Sequence, residues 1–86
     1  MYAVFFTKRA ISDIAKLKAS GLDKNARALI ELLKENPYQT PPPFETLKGD
    51  LEGAFSRRIN LQHRLVYEIV EDEKAVKIIK LWTHYE

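Results

Sequence analysis

Four prolines fall within the seven residues from Pro37 to Pro43, and no other feature limits the fold of this chain as much. Proline has no N–H to give to a helix, and it pushes the residue before it out of the helical region. The stretch Pro37-Tyr38-Gln39-Thr40-Pro41-Pro42-Pro43-Phe44 is therefore extended. It is too short to separate two domains, and 86 residues make a single domain, residues 1–86. The segment must run across the fold and deliver the residues next in the chain, Glu45-Thr46-Leu47-Lys48. It also divides the chain into a helical half and a strand-forming half.

Before the prolines, Tyr2 to Phe6 is aromatic and β-branched and predicts a short buried strand. Thr7 is placed to cap a helix over about 8–20, with Ile11, Ile14, Ala15 and Leu17 approximating its apolar stripe. Gly21 is suited to the residue just past the helix end. A second helix runs from 22 or 23 to 35, with Ala26, Leu29, Ile30 and Leu33 at helical period, and Asn36-Pro37 stops it. A connection this short makes an antiparallel helix hairpin. After Gly49-Asp50-Leu51-Glu52-Gly53, which is loop chemistry, three strands are expected over about 54–60, 63–71 and 74–82. Two-residue connections at Leu61-Gln62 and Asp72-Glu73 make them antiparallel. The order is β-α-α-β-β-β, an α+β fold with an antiparallel sheet and the helix hairpin packed on one face.

Charge and cysteine content narrow the function classes. The net charge is +2: residues 1–44 carry seven Lys or Arg against four Asp or Glu, and residues 45–86 carry seven against eight. Such a chain does not wrap nucleic acid by bulk charge, so any phosphate contact rests on a few placed cations. With no cysteine there is neither a disulfide nor a thiolate zinc site, which suits a reducing, cytoplasmic setting. The N-terminus lacks the basic region and length of a signal peptide. No apolar run approaches the ~20 residues of a membrane helix.

Glu45, Arg57 or Arg58, Arg64, His84 and Tyr85 supply the parts of a ribonuclease that works without metal or cofactor. Cleavage of RNA by its own 2′-OH needs a base for that proton, cationic donors for the charge building on phosphorus, and an acid for the leaving 5′ oxygen. A carboxylate, arginines and an imidazole meet those needs, and an aromatic can stack an exposed base. With a two-residue turn Arg57 shares a sheet face with Arg64; a one-residue slip puts Arg58 there instead. His63, at a turn edge, reads as structural, and Tyr67 and Trp82 as core. The two histidines lie more than twenty residues apart and carry no metal-ligand spacing. Plainer readings exist for each: Glu45 as a solvated loop carboxylate, one of the paired arginines as a solvent-side cation, His84 and Tyr85 as a tail.

The combination of Phe44-Glu45-Thr46-Leu47-Lys48, Gly53-Ala54-Phe55-Ser56-Arg57-Arg58-Ile59, His63-Arg64-Leu65-Val66-Tyr67 and Thr83-His84-Tyr85 resembles the YoeB/Txe branch of the RelE toxin superfamily. The N-terminal half matches it in layout, a strand and a helix hairpin. The resemblance implies the RelE/microbial-ribonuclease-like fold and a toxin of a type II toxin–antitoxin pair that cleaves mRNA in the ribosomal A site. By position it implies Glu45 as general base, His84 as general acid and Arg64 as the stabiliser of the transition-state phosphate. Arg58 supports Arg64, Tyr85 sets substrate geometry and Lys48 lies near the site. The partners it implies are a cognate antitoxin, the ribosome with its mRNA, operator DNA through the antitoxin only, and a second copy of the chain in a homodimer; no membrane is involved. Glu86, beyond the terminal tyrosine, departs from the pattern, and a carboxylate meeting an imidazole raises the pKa of the latter.

Two rival readings use the same residues. One is a toxin of this fold with a non-nuclease target, as in ParE-like poisons of DNA gyrase, which lack the acid–base set. The other is a non-catalytic module that binds an antitoxin and co-represses its operon.

Overall fold

The computed structural model describes the main chain of residues 1–84 and the side chains of residues 1–81. The elements run β1 (Ala3–Phe6), α1 (Lys8–Ala19), α2 (Asp23–Glu35), β2 (Glu45–Thr46), β3 (Phe55–Arg58), β4 (His63–Val70) and β5 (Ala75–His84), with single 3-10 turns at Gly49–Leu51 and Glu71–Glu73. The fold is α+β, as expected, and the sheet order is β1-β5-β4-β3-β2. The antiparallel pattern holds from β2 through β5, whereas β1 joins the edge parallel to β5. A parallel pair needs a long crossover, and the helix hairpin together with β2 to β4 lies between these two strands in sequence. β1 is thus an edge strand with Phe5 and Phe6 exposed, not the buried strand its apolar run suggests.

The helices end where their caps say they should. Thr7 Oγ1 accepts from the Ala10 N–H at the start of α1. At its end Leu22 N–H returns to Leu17 O and Gly21 N–H to Lys18 O, with Gly21 at φ +74°, the left-handed residue this closure needs. The core lies between the hairpin and one sheet face, where Leu17, Leu33, Leu65, Tyr67, Ile78 and Leu81 are fully buried. Each large aliphatic side chain there contributes roughly 1.5–3 kcal/mol. The inward stripe of α1 is Ala10, Asp13, Ile14 and Leu17; Ile11, expected on that stripe, is 59% exposed. The phase differs from the apolar pattern because a carboxylate is wanted inside.

That carboxylate meets an irregular strand. From Tyr67↔Ile78 to Val66↔Lys80, and again from there to Arg64↔Thr83, β5 advances one residue more than β4 does. These are two bulges, and each frees a backbone group. Thr7 Oγ1 donates to Ile79 O at 2.6 Å in the first. The Leu81 N–H donates to buried Asp13 Oδ2 at 3.0 Å in the second. Asp13 is also met by Arg9 at 3.2 Å, one helical turn before it. One helix therefore satisfies both irregularities of its neighbouring strand.

The proline segment is pinned from below by Arg57, which is 1% exposed. Its Nη1 donates to Pro42 O (2.6 Å), its Nη2 to Pro37 O (3.0 Å) and its Nε to Tyr67 Oη (2.9 Å). Its guanidinium lies 4.9 Å from the Phe44 ring centroid. A segment poor in N–H groups thereby has its inward carbonyls satisfied, and the buried cation has hydrogen-bond partners. A second clasp holds the segment's start. The Glu71 carboxylate accepts from Tyr2 Oη (2.9 Å), Tyr38 Oη (2.7 Å) and Lys74 Nζ (2.6 Å). These donors, Lys74 first, hold the Glu71 carboxyl down at about 2, from an ordinary 4.5, and the bond to Glu71 pushes the Tyr38 hydroxyl up to about 12.

Asp13→Ala leaves the Leu81 N–H buried without an acceptor and should lower stability in urea titration by about 1–3 kcal/mol, whereas Asp13→Asn, which keeps an acceptor, should lose less. The Glu71 clasp sets a pH window. Its folded value lies below its unfolded one, so its contribution is complete above about 4.5 and fades as pH falls toward about 2. Urea midpoints measured across that range should fall more steeply for the parent than for Glu71→Gln.

Candidate active site

The register between β3 and β4 decides which arginine faces which way. Arg58 pairs with Arg64 and Arg57 with Leu65, one residue away from the two-residue turn. The connection is longer because Asn60 Oδ1 accepts from the Gln62 and His63 N–H groups (2.9 and 2.7 Å), while Ile59 N–H bonds to His63 O. This is an Asx-type turn. Alternation then puts Phe55 and Arg57 toward the core and Ser56 and Arg58 on the opposite face, where Ser56 is buried and Arg58 exposed. Arg57 is consequently turned away from the face of Arg64, and all three of its nitrogens are hydrogen-bonded within the protein.

On the open face, β2 adds its two residues to the sheet edge, with Glu45 opposite Ser56. Glu45, Arg58 and Arg64 line one cleft of about 160 Å³ together with Pro42 and Pro43. Arg64 is 5% exposed, and its Nη1 lies 3.4 Å from Glu45 Oε1. The Glu45 side chain is half in solvent, so the pair is loose and screened, and contributes little to stability. Arg58 is exposed. A carboxylate able to take a proton therefore stands beside two fork-shaped cationic donors, one of them already desolvated by its surroundings. Guanidinium donors of this shape are suited to a phosphate.

The remaining expected residues divide. Lys48 stands exposed two residues past β2 and is not among the residues lining the cleft. The main chain of His84 pairs with His63, one residue beyond the Thr83↔Arg64 pair, so β5 carries it to the same end of the sheet as Arg64. The His84 side chain and the whole of Tyr85 lie outside the described residues, as does the Trp82 side chain. His63 is buried with its Nδ1 3.2 Å from Asn60 Oδ1, in keeping with a structural role. Tyr67 is core, and burial raises its hydroxyl pKa, which the Arg57 bond partly offsets. A larger cleft of about 260 Å³ lies between α1 and α2, walled mainly by Ile14, Leu17, Ala26 and Ile30; the charged groups at it, Lys18, Asp23 and Arg27, are exposed or half-buried, and Asp23 and Arg27 form an i,i+4 ion pair on α2 at 3.7 Å.

Sequence reasoning passed over Ser56 and Asp13. Ser56 could have been found from the flanking apolar residues: Phe55 and Ile59 must face the core, which puts Arg57 inward and both Ser56 and Arg58 outward. Asp13 lies at helical spacing from Ala10 and Leu17, and only its charge argued against an inward position.

Among the described residues no helix is long and apolar enough to cross a membrane. Residues 6–85 match the family model described as a YoeB-like toxin of a bacterial type II toxin–antitoxin system. The chain is 38% identical over 63 residues to Toxin YoeB of Synechocystis, covering 73% of this chain and 71% of that protein. It superimposes on the YoeB–YefM complex from Staphylococcus aureus with a TM-score of 0.80, at 28% identity and with 99% of each chain covered. The YoeB dimer from the same organism gives a TM-score of 0.80 at 31% identity, with 98% of each chain covered. With the sheet, the cleft and these likenesses together, the chain belongs to the YoeB family of type II toxin–antitoxin toxins.

Proposed function

We propose that this protein is a ribosome-dependent endoribonuclease that cleaves mRNA in the ribosomal A site and is held inactive by a cognate antitoxin. The observation that carries the reading is the cleft in which Glu45, Arg58 and Arg64 meet, with Arg64 Nη1 3.4 Å from Glu45 Oε1. In the cleavage step Glu45 takes the proton of a ribose 2′-OH. The 2′ oxygen attacks phosphorus, the bond from phosphorus to the 5′ oxygen breaks, and His84 gives that oxygen its proton. The products are a 2′,3′-cyclic phosphate and a 5′-hydroxyl. Arg64 and Arg58 donate to the non-bridging oxygens, where charge builds, so guanidinium groups fill the place a metal ion would otherwise take. Tyr85 and Lys48 bear on the placement of the nucleotide.

The ribosome enters because the toxin has little means of its own to hold RNA. A net charge of +2 and a cleft with two arginines bind free RNA weakly. A particle that already holds the message supplies the orientation that the small domain lacks. The antitoxin is a protein that lies over the open sheet face and covers Arg64, joins toxin to operator DNA, and acts in the cytoplasm, where the toxin also forms homodimers.

Glu45→Ala, Arg64→Ala and His84→Ala should each lower cleavage of ribosome-bound mRNA by roughly 10²–10⁴-fold, read by primer extension, while leaving the far-ultraviolet circular dichroism unchanged. Full cleavage by both the Glu45 and His84 variants contradicts the assignment. Growth arrest without any mRNA cleavage would point to a target other than RNA.

A further inference from the structure

Ser56 is 2% exposed, and its Oγ is enclosed without a hydrogen-bond partner among the described residues. A buried hydroxyl left so is a cost to the fold, and nothing in the packing around β3 explains it. Its place in the sheet does. Ser56 pairs with Glu45 on β2 and with Val66 on β4, on the face that carries Arg58 and Arg64. Directly opposed residues have Cβ atoms about 4.5–5.5 Å apart, so the Ser56 hydroxyl lies within the length of the Glu45 side chain.

In the free protein Glu45 leans on Arg64 at 3.4 Å. An RNA phosphate competes for that same guanidinium and offers it a bidentate geometry. Once Arg64 turns to the phosphate, Glu45 loses its near cation and needs another donor to stay aimed at the 2′-OH. We propose that Ser56 is a positioning residue for Glu45: in the loaded site its hydroxyl donates to the carboxylate that Arg64 has released. This rests on the reading of Glu45 as the base. The charged groups that face Glu45 are Arg58 from β3 and Arg64 from β4, with Lys80 of β5 opposite Val66 in the same cross-strand row.

The test pairs stability with the pH dependence of single-turnover cleavage of ribosome-bound mRNA. Ser56→Ala removes a hydroxyl that no described residue satisfies in the free protein, so its urea midpoint should equal or exceed that of the parent. Its rate should nevertheless fall about ten- to a hundredfold, the worth of one hydrogen bond to a charged group. The acid limb of its pH–rate profile should move to higher pH, because a carboxylate without its donor is more readily protonated. Ser56→Thr keeps the hydroxyl and should recover most of the rate. In the Glu45→Ala background, Ser56→Ala should cost nothing further. A Ser56→Ala protein with the parental rate and acid limb, or one whose rate falls only alongside its stability, overturns the proposal while a dead Glu45→Ala upholds the base. Parental activity in Glu45→Ala overturns both.

Discussion

The two contacts that α1 makes with the bulged part of β5 organise this molecule. A strand with two extra residues cannot keep all its backbone groups in its ladder, and an unpaired group in the interior costs about 1–3 kcal/mol. Thr7 takes the carbonyl of Ile79 and Asp13 takes the N–H of Leu81. The helix thereby makes tolerable a distortion that regular pairing would reject. What the distortion achieves is positional. It changes the register of the last stretch of β5 by two residues relative to its start, and so sets which residue lies across from Arg64. Bulges beside functional clefts commonly re-aim a strand in this way.

The other side of the cleft has a matching support. Arg57, which its sequence position offers to the site, instead holds the proline segment that leads into β2. Two adjacent arginines on one strand thus have opposite fates. Arg57 lies in the interior with its N–H groups donated to proline carbonyls and Tyr67, and Arg58 stays on the open face. Glu45 is brought to Arg64 by a tether fastened at Arg57 and again at the Glu71 clasp. The cleft is consequently made from the middle of the chain on one side and β4 on the other, with the helix hairpin acting from beneath.

Much of this was legible in the residues. Helix limits came from Thr7, Gly21 and Pro37, because caps and stops are local chemistry. The role of the proline run came from what proline cannot do. Three features were not legible. Strand β1 pairs parallel with β5 and lies at the edge, a long-range choice that its own apolar sequence does not encode. The arginine register depended on Asn60, whose side chain lengthens a turn that spacing alone made two residues. Asp13 broke the apolar stripe because its partner, the Leu81 N–H, is sixty-eight positions away and exists only once β5 has bulged. Glu45 and Arg64 were expected beside either Arg57 or Arg58, together with His84; the cleft is lined by Glu45, Arg58 and Arg64, Arg57 and Lys48 do not line it, and the His84 side chain lies outside the described residues.

On the proposed function, the substrate brings its own nucleophile. In the proposed reaction Glu45 is the proton acceptor and Arg58 and Arg64 are the cationic donors to one phosphate, and in-line attack by a neighbouring 2′-OH needs little more than those and an acid. That claim is tested most directly by an mRNA carrying a single 2′-deoxynucleotide at the scissile position, presented on the ribosome to the wild-type toxin. Cleavage at that position should disappear while an all-ribose message is cut to give a 2′,3′-cyclic phosphate end. Cleavage of the deoxy-substituted message at the normal rate would contradict the account.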